Sequence, residues 1–385
     1  MTLKMRTQSL LENEVMSNMT SFSPSLTPSI LHQNLKVNTS ELPSPWSNNI
    51  TRSRMTSLGL GMSCFTMAFG TISNFTALAI LAKSRARFRR RSKAPFLLLT
   101  VALMLADLGG HVIPGAFALY LHVMSRYKMQ SVEPTKAFCQ IFGASMVFFG
   151  LCPLLLGCAM AIERCVAITK PFFHTAMVTV AHVRGVVLIL SSLALLLAVL
   201  PLFAIGTYTI QSPGTWCFLP IHGPQSTADT YLALAFSCLG LIALTLSLLC
   251  NILSGLTLLQ ARIKSQNANT KSAARCSRRV SSASSSSVFC SLDVEMMAQL
   301  ALITVVSCVC WSPFLVSTTI SVLLMQFIQS PGGQTSETYQ VILLGLRMAS
   351  WNQILDPWVY ILLRRAALYR VCCAFKTQRP IVAGK

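Results

Sequence analysis

Charge is scarce in this sequence. Only 11% of its 385 residues are charged, whereas a soluble domain carries about 25%. Acidic residues are rarest, with 11 Asp and Glu against 31 Lys and Arg. That balance excludes an ordinary soluble enzyme or scaffold. Metal-site spacing is missing too. The 14 Cys and 6 His form neither a Cys-x-x-Cys nor a His/Cys ligand pattern. The histidines are spread among loops and span ends, which argues against a membrane enzyme. No repeat relates the two halves, so the inverted symmetry of many transporters is not visible. The N-terminus is polar and has no apolar h-region, so no cleaved signal peptide is expected, and the first apolar span serves as the insertion signal.

What is present is length in apolar runs. Hydrophobic residues make up 53% of the chain, and a membrane-spanning helix needs about 20 of them in succession. Seven such runs fall near 56–83, 95–121, 137–169, 180–204, 230–260, 294–327 and 339–363. The net charge of +20 invites a nucleic-acid partner, but the basic residues cluster in short loops beside the runs. With the N-terminus outside, 22 basic residues lie on cytoplasmic segments and 8 on outer ones. This asymmetry follows the positive-inside rule and requires an odd number of spans.

The sequence therefore predicts an all-α membrane protein: a seven-transmembrane helix bundle over 56–363 with a short amphipathic C-terminal helix. An extracellular tail, 1–55, is rich in Ser, Thr, Asn and Pro and carries sequons at Asn18, Asn38 and Asn49, the acceptor signal for glycosylation. The third inner loop, about 262–292, is Ser-rich and expected to be disordered. Its Arg278-Arg279-Val280-Ser281 is either a basophilic-kinase target at Ser281 or part of a plain solvated linker. The cytoplasmic end, 364–385, alternates charges with apolar residues, as in a helix on the inner leaflet. Cys372 and Cys373 there are palmitoylation candidates, plain thiols being the alternative. The Cys residues within apolar runs, Cys64 and Cys238 among them, are expected to serve as packing.

Polar groups inside the spans point to function. A charge in hydrocarbon costs at least ~2.5–3.5 kcal/mol. The last span contains both Arg347 and Asp356, about 14 Å apart along a helix, too far to neutralise each other. Ser350 and Trp351 fall between them as candidates for coupling the two. Asn74 and Asp107 are polar groups at depth in the first two spans. Glu163-Arg164 stands at the inner end of the third span, as a functional pair or a snorkelling anchor. Pro313, two residues after Trp311, removes a backbone hydrogen bond and kinks the sixth helix. Cys139 and Cys217 are the only cysteines on the outer side of this topology, where disulfides persist, so a bridge is expected to pin the second outer loop over the bundle mouth.

These motifs taken together, Gly-x-x-Ser-Asn74, Leu-Ala-Asp107, Cys139 with Cys217, Glu163-Arg164-Cys165, Trp311-x-Pro313 and Asp356-Pro357-x-x-Tyr360, resemble rhodopsin-like G-protein-coupled receptors. The stretches GTWCF at 214–218, MVFFGLCPLLLG at 146–157 and LRMASWNQILDPWVYILLR at 346–364 resemble the prostanoid receptors among them. The stretches DLGGHVIPGA, SLDVEMMAQL and SCVCWSP look most like the calcium-coupled prostaglandin E2 group. The prostaglandin F2α group follows, and Gly214 before Thr215 favours the E2 group.

The resemblance implies a lipid ligand, prostaglandin E2, and a heterotrimeric G protein of the calcium-mobilising class. A guanidinium meets a carboxylate bidentately, and the resemblance assigns that role to Arg347, with Thr215 contributing a loop hydroxyl. A buried internal salt bridge is the alternative for Arg347. Trp216, Met146, Tyr120, His122, His111 and Ser350 complete the candidate ligand set. Either Tyr120 or His122 stands where the family carries a Tyr that contacts the carboxylate. His111 either meets ring oxygens of the ligand or is a core histidine bonded to backbone. Met146 takes the place of an Asp found in amine receptors, which argues against a cationic ligand. Glu163, Arg164, Trp311, Pro313, Asp356, Pro357, Tyr360, Asp107 and Asn74 form the expected coupling and switch set. Asp107 and Asp356 are expected to come close and to share a proton, a water or a sodium ion. No cofactor is expected. A transporter of anionic lipids is the remote alternative.

Overall fold

The structure, a computed structural model, describes residues 45–85, 94–126, 136–212, 214–221, 226–273, 283–328 and 336–377. Asn18, Asn38 and Ser281 lie outside these residues. Two units are distinguished, Met1–Asn49 and Ile50–Lys385, and the second holds the spanning helices.

Eight helices account for nearly all of it: α1 (Pro45–Arg85), α2 (Ala94–Arg126), α3 (Lys136–Thr169), α4 (Pro171–Met177), α5 (Val180–Val199), α6 (Thr227–Ala273), α7 (Ala283–Ile328) and α8 (Ser336–Thr377). Six are long and apolar enough to cross a membrane among the described residues, namely α1, α2, α3, α5, α6 and α7. The seventh spanning helix, α8, holds Arg347, Asn352, Gln353 and Asp356 within four turns, which dilutes its apolar character. Helix enters the expected inner loop from both sides, since α6 runs to Ala273 and α7 starts at Ala283. The expected C-terminal helix is present as the end of α8, which continues unbroken from Ser336 to Thr377. It carries Cys372 and Cys373; Asn49 lies in the opening turns of α1.

The axle of the bundle is α3. About 61% of its spanning stretch is buried, against 17% for α5. It packs on α2, α4, α5, α6 and α7. The outer faces are apolar and unpartnered, with Leu188, Ile189, Leu195 and Leu196 of α5 all exposed. In lipid such faces are solvated by acyl chains, and helix association relies on close packing and hydrogen bonds. Cys64 and Cys238 also face outward rather than packing the interior as the sequence suggested, because each falls on the lipid-facing stripe of its helix. Polar side chains within spans bond back to their own helix: Thr100 Oγ1 donates to the Phe96 carbonyl at 2.9 Å and Ser247 Oγ to Ala243 at 2.6 Å. With no water at that depth, such bonds keep the hydroxyls satisfied.

One end of the bundle is closed by a hairpin. Strand β1 (Thr209–Gln211) pairs antiparallel with β2 (Trp216–Phe218), with Ile210 opposite Cys217. Gly214 closes the turn, donating its N–H to the Gln211 carbonyl at 2.8 Å with φ at +88°, a conformation costly to a residue with a Cβ.

Candidate functional site

The hairpin is locked to α3 by the Cys139–Cys217 disulfide, with Cα atoms 5.5 Å apart. This is the bridge expected from the sequence. Trp216, Cys217, Phe218, Leu219 and Ile221 are all buried, so the hairpin plugs the bundle mouth and does not lie flat across it. A second tie comes from Asp229 at the start of α6. Its Oδ1 accepts from the Thr207 backbone at 2.6 Å and its Oδ2 from the Ser226 hydroxyl at 2.7 Å. The Asp229 backbone N–H in turn donates to Ser226 Oγ at 3.1 Å, a reciprocal cap that fixes the helix start. Tyr208 is buried, its hydroxyl donating to the Ala198 carbonyl at 2.8 Å, and that burial pushes the phenol well above its ordinary range.

Arg347 lies at the same end, on α8. Its side chain is exposed, not buried as the sequence suggested, because the neighbouring helices leave that position of α8 uncovered. No carboxylate pairs with it among the described residues, so the internal salt bridge is absent there. Its charge acts on the imidazole of His122 on α2. His122 therefore lies within electrostatic reach of Arg347. Tyr120 is exposed and packs its ring on Phe138, centroids 5.1 Å apart. Thr215 is half-buried at the hairpin turn, and the Trp216 indole N–H is committed to the Ser212 carbonyl at 3.1 Å. Met146 is half-buried against the core.

Deeper groups divide differently from the expectation. His111 is buried, and its Nε2 has no hydrogen-bond partner among the described residues. Ser350 is exposed and returns its hydroxyl to the Arg347 carbonyl at 2.7 Å, while Trp351 faces Phe65 of α1 at 6.4 Å. Neither of them joins Arg347 to Asp356. Gln353, on the same stretch of α8, makes the contacts between helices. Its carbonyl accepts from Asn74 Nδ2 at 3.1 Å and its side-chain amide donates to the Phe149 carbonyl at 2.9 Å. One residue of α8 thereby holds α1 and α3. Sequence reasoning passed over it, although amides at such depth are rarely without partners.

Asp107 and Asp356 are both buried, and the charge of Asp356 acts on Asp107. Asn352 Nδ2 donates to Asp356 Oδ2 at 3.1 Å. Neither oxygen of Asp107, nor Oδ1 of Asp356 or of Asn352, has a hydrogen-bond partner among the described residues. Four unpaired oxygens around two carboxylates fit a hard cation such as sodium, which takes oxygen ligands. Alongside, Ser247, Thr304, Ser307, Asn352 and Asp356 line a cavity between α6, α7 and α8.

An aromatic file runs inward from the hairpin. Phe218 meets Phe314 at 5.5 Å and Phe236 at 5.3 Å, and Phe314 meets Trp311 at 6.4 Å. Trp311 and Pro313 are thereby linked to the loop residue next to Cys217. Pro357 and Tyr360 follow Asp356 within α8. At the opposite end, Glu163 and Arg164 are both buried, with Arg164 Nη2 donating to Glu163 Oε1 at 2.6 Å.

The motifs of the sequence thus occupy the depths and ends that a receptor bundle requires. A family model described as the seven-transmembrane receptor (rhodopsin family) matches residues 73–360. The "Prostaglandin E2 receptor EP1 subtype" of Mus musculus is 44% identical over 335 residues, 79% of each chain. The "Prostaglandin F2-alpha receptor" of Homo sapiens is 42% identical over 334 residues, 86% of each chain. Squid rhodopsin shares the fold, with a TM-score of 0.65 at 14% identity over 91% of this chain and 94% of that one. The chain belongs to the rhodopsin family of seven-transmembrane receptors, within its prostanoid receptor branch.

Proposed function

We propose that this chain is a plasma-membrane receptor for prostaglandin E2, with its N-terminus outside and its C-terminus inside, that activates a calcium-mobilising heterotrimeric G protein. The single observation that carries the ligand assignment is Arg347: an exposed guanidinium within electrostatic reach of His122, with no acidic partner among the described residues. Such a group is available to a ligand carboxylate, and a bidentate pair fixes the orientation of that ligand. Thr215 at the hairpin turn supplies a hydroxyl, and Met146 and Trp216 supply apolar surface. The glycosylated tail with Asn18, Asn38 and Asn49 belongs outside in this topology, and palmitoylation at Cys372 and Cys373 inside.

Binding reaches the inner face along two chains of contacts. A ligand that draws on Arg347 shifts α8 at Gln353 and Asp356, and one that presses on the hairpin shifts Phe218, Phe314 and Trp311. Both bias α7 about Pro313 and free Arg164 for a G-protein segment. Agonist affinity and G-protein binding are then coupled reciprocally. The 42% identity to the human prostaglandin F2α receptor makes that ligand the second reading, and membership in a receptor family sets the transporter aside. The deciding experiment is a calcium-release assay in cells expressing the full chain, challenged in parallel with prostaglandins E2, F2α and D2 and a thromboxane mimic. Prostaglandin E2 is expected to act at the lowest concentration. A lower threshold for F2α transfers the assignment to that ligand.

A further inference from the structure

Helices α6 and α7 are joined, far from the hairpin, by a buried hydrogen bond between two side chains. Helix α6 starts beside the hairpin at Thr227, and Asn251 lies roughly 36 Å further along it. Asn251 Nδ2 donates to Oγ1 of Thr304 on α7 at 2.7 Å. Both residues are buried, Asn251 at 8% exposure and Thr304 at 4%. The buried hydroxyls one turn to either side of Asn251 stay on their own helix. Ser247 donates to the Ala243 carbonyl at 2.6 Å and Ser254 to the Cys250 carbonyl at 2.7 Å. Asn251 alone of the three reaches across. Its Oδ1 has no hydrogen-bond partner among the described residues, so the amide depends on Thr304. On the other helix, Thr304 precedes Pro313 within α7 by roughly 14 Å of helix.

We infer that Asn251 and Thr304 are positioning residues: their bond is a clasp that holds the inner arm of α7 against α6 and breaks when α7 swings about Pro313. Proline removes a backbone hydrogen bond and makes Pro313 the soft point of α7. Thr304 stands at the end of a helical lever measured from that point, where a small rotation becomes a large displacement. A hydrogen bond of 2.7 Å tolerates less than about 1 Å of stretch, so the clasp is either made or lost. While it is made, the Asn251 amide is paired. Without the Thr304 hydroxyl, the closed arrangement buries an unpaired amide, whereas the open one admits water to it. The balance then moves toward the open arrangement.

The inference rests on the proposed receptor function for the meaning of the swing, and a readout without any G protein keeps the two apart. The full chain and its Thr304→Val, Thr304→Ser, Asn251→Leu and Asn251→Leu/Thr304→Val forms are placed in lipid nanodiscs. Spin labels on unnatural residues at Arg262 of α6 and Ala298 of α7, both exposed, report the distance between the helices by pulsed electron paramagnetic resonance. Without ligand, Thr304→Val is expected to raise the ratio of separated to joined populations roughly tenfold, and Asn251→Leu to raise it as well. Thr304→Ser keeps the hydroxyl and is expected to stay within about twofold of the unaltered chain. The double form is expected to separate no further than the stronger single form, because both lose the same bond. Prostaglandin E2 affinity is expected to rise severalfold in Thr304→Val, since a ligand that favours the open state gains from its greater population. Populations that do not change in Thr304→Val, or that change equally in Thr304→Ser, overturn the inference. So does separation in Thr304→Val that leaves a measurable prostaglandin E2 affinity unaltered. If no form binds prostaglandin E2 while Thr304→Val still separates and Thr304→Ser does not, the ligand assignment falls and the clasp stands.

Discussion

The side-chain amide of Gln353 donates to the backbone carbonyl of Phe149 at 2.9 Å, and Phe149 lies four residues before Pro153 within α3. Proline has no N–H, so the carbonyl four residues earlier in a helix loses its donor. Gln353 supplies the missing one from a different helix. The same residue lies four before Pro357, which frees the Gln353 carbonyl, and that carbonyl accepts from Asn74 at 3.1 Å. Two proline breaks are thus repaired through one side chain and one carbonyl, and the repairs bind α1, α3 and α8 together. Gln353→Leu is expected to lower the stability of the purified receptor by about 1–3 kcal/mol, the cost of a buried group left unpaired. In Pro153→Ala the restored N–H takes over, so Gln353→Leu on that background costs at least ~1 kcal/mol less. Thermal unfolding of the four forms in detergent measures the cycle. Equal losses on both backgrounds refute the repair.

Arg347 and His122 define the second prediction. Arg347→Ala is expected to lower the affinity for prostaglandin E2 about 100-fold, consistent with loss of a charge pair in a binding site, while surface expression is retained. Arg347→Lys keeps the charge without the bidentate fork, and a loss of about tenfold is expected. The methyl ester of the ligand supplies the internal control. The unaltered chain should prefer the free acid strongly, and Arg347→Ala should bind acid and ester alike. Radioligand competition on intact cells reads all of these, and a preference for the acid that survives in Arg347→Ala removes Arg347 from the carboxylate site.

The bundle and its polar landmarks were legible because each has a one-dimensional signature. Apolar runs set the spans, and Cys139 and Cys217 pair as the sequence predicts. Contacts made by folding back were not legible. His174 touches Glu163 only because α4 turns beneath α3, and nothing in the residues between them fixes that turn. The exposure of Arg347 depends on how neighbouring helices spread at the bundle end, which a periodicity cannot report. Gln353 was legible in part: Pro153 and Pro357 each announce an orphaned carbonyl, and an amide in a span announces a donor and an acceptor. The match between them is a matter of helix register and becomes visible only in three dimensions.

Asp229 supports a third prediction. It is buried, and its two oxygens serve Thr207 of the loop before β1 and Ser226 of the helix start. Asp229→Ala leaves those donors unpaired and is expected to cost about 2 kcal/mol in stability. It also frees the loop from α6 while the Cys139–Cys217 bridge still holds it to α3. Faster dissociation of labelled prostaglandin E2 is therefore expected, with a smaller change in the association rate. Thr207→Val removes only the hydroxyl contact at 3.3 Å and should fall between the unaltered chain and Asp229→Ala. Unchanged dissociation in Asp229→Ala shows that the disulfide alone holds the lid.

The two buried carboxylates are expected to make agonist binding sensitive to sodium. Asp107 of α2 and Asp356 of α8 are buried with three of their four oxygens unpaired among the described residues. Two interacting carboxylates in an apolar interior require a cation or a shared proton between them. A sodium ion bound there stabilises the arrangement in which α2 and α8 meet, and an agonist that shifts α8 favours another. Each must then weaken the other by the same factor. Replacing choline by sodium at constant ionic strength is expected to lower agonist affinity severalfold, and either Asp107→Asn or Asp356→Asn is expected to abolish that dependence while agonist binding persists. A shared proton gives a different result: agonist affinity is indifferent to sodium in the unaltered chain, yet still changes in both Asn variants. The comparison decides which species neutralises the pair.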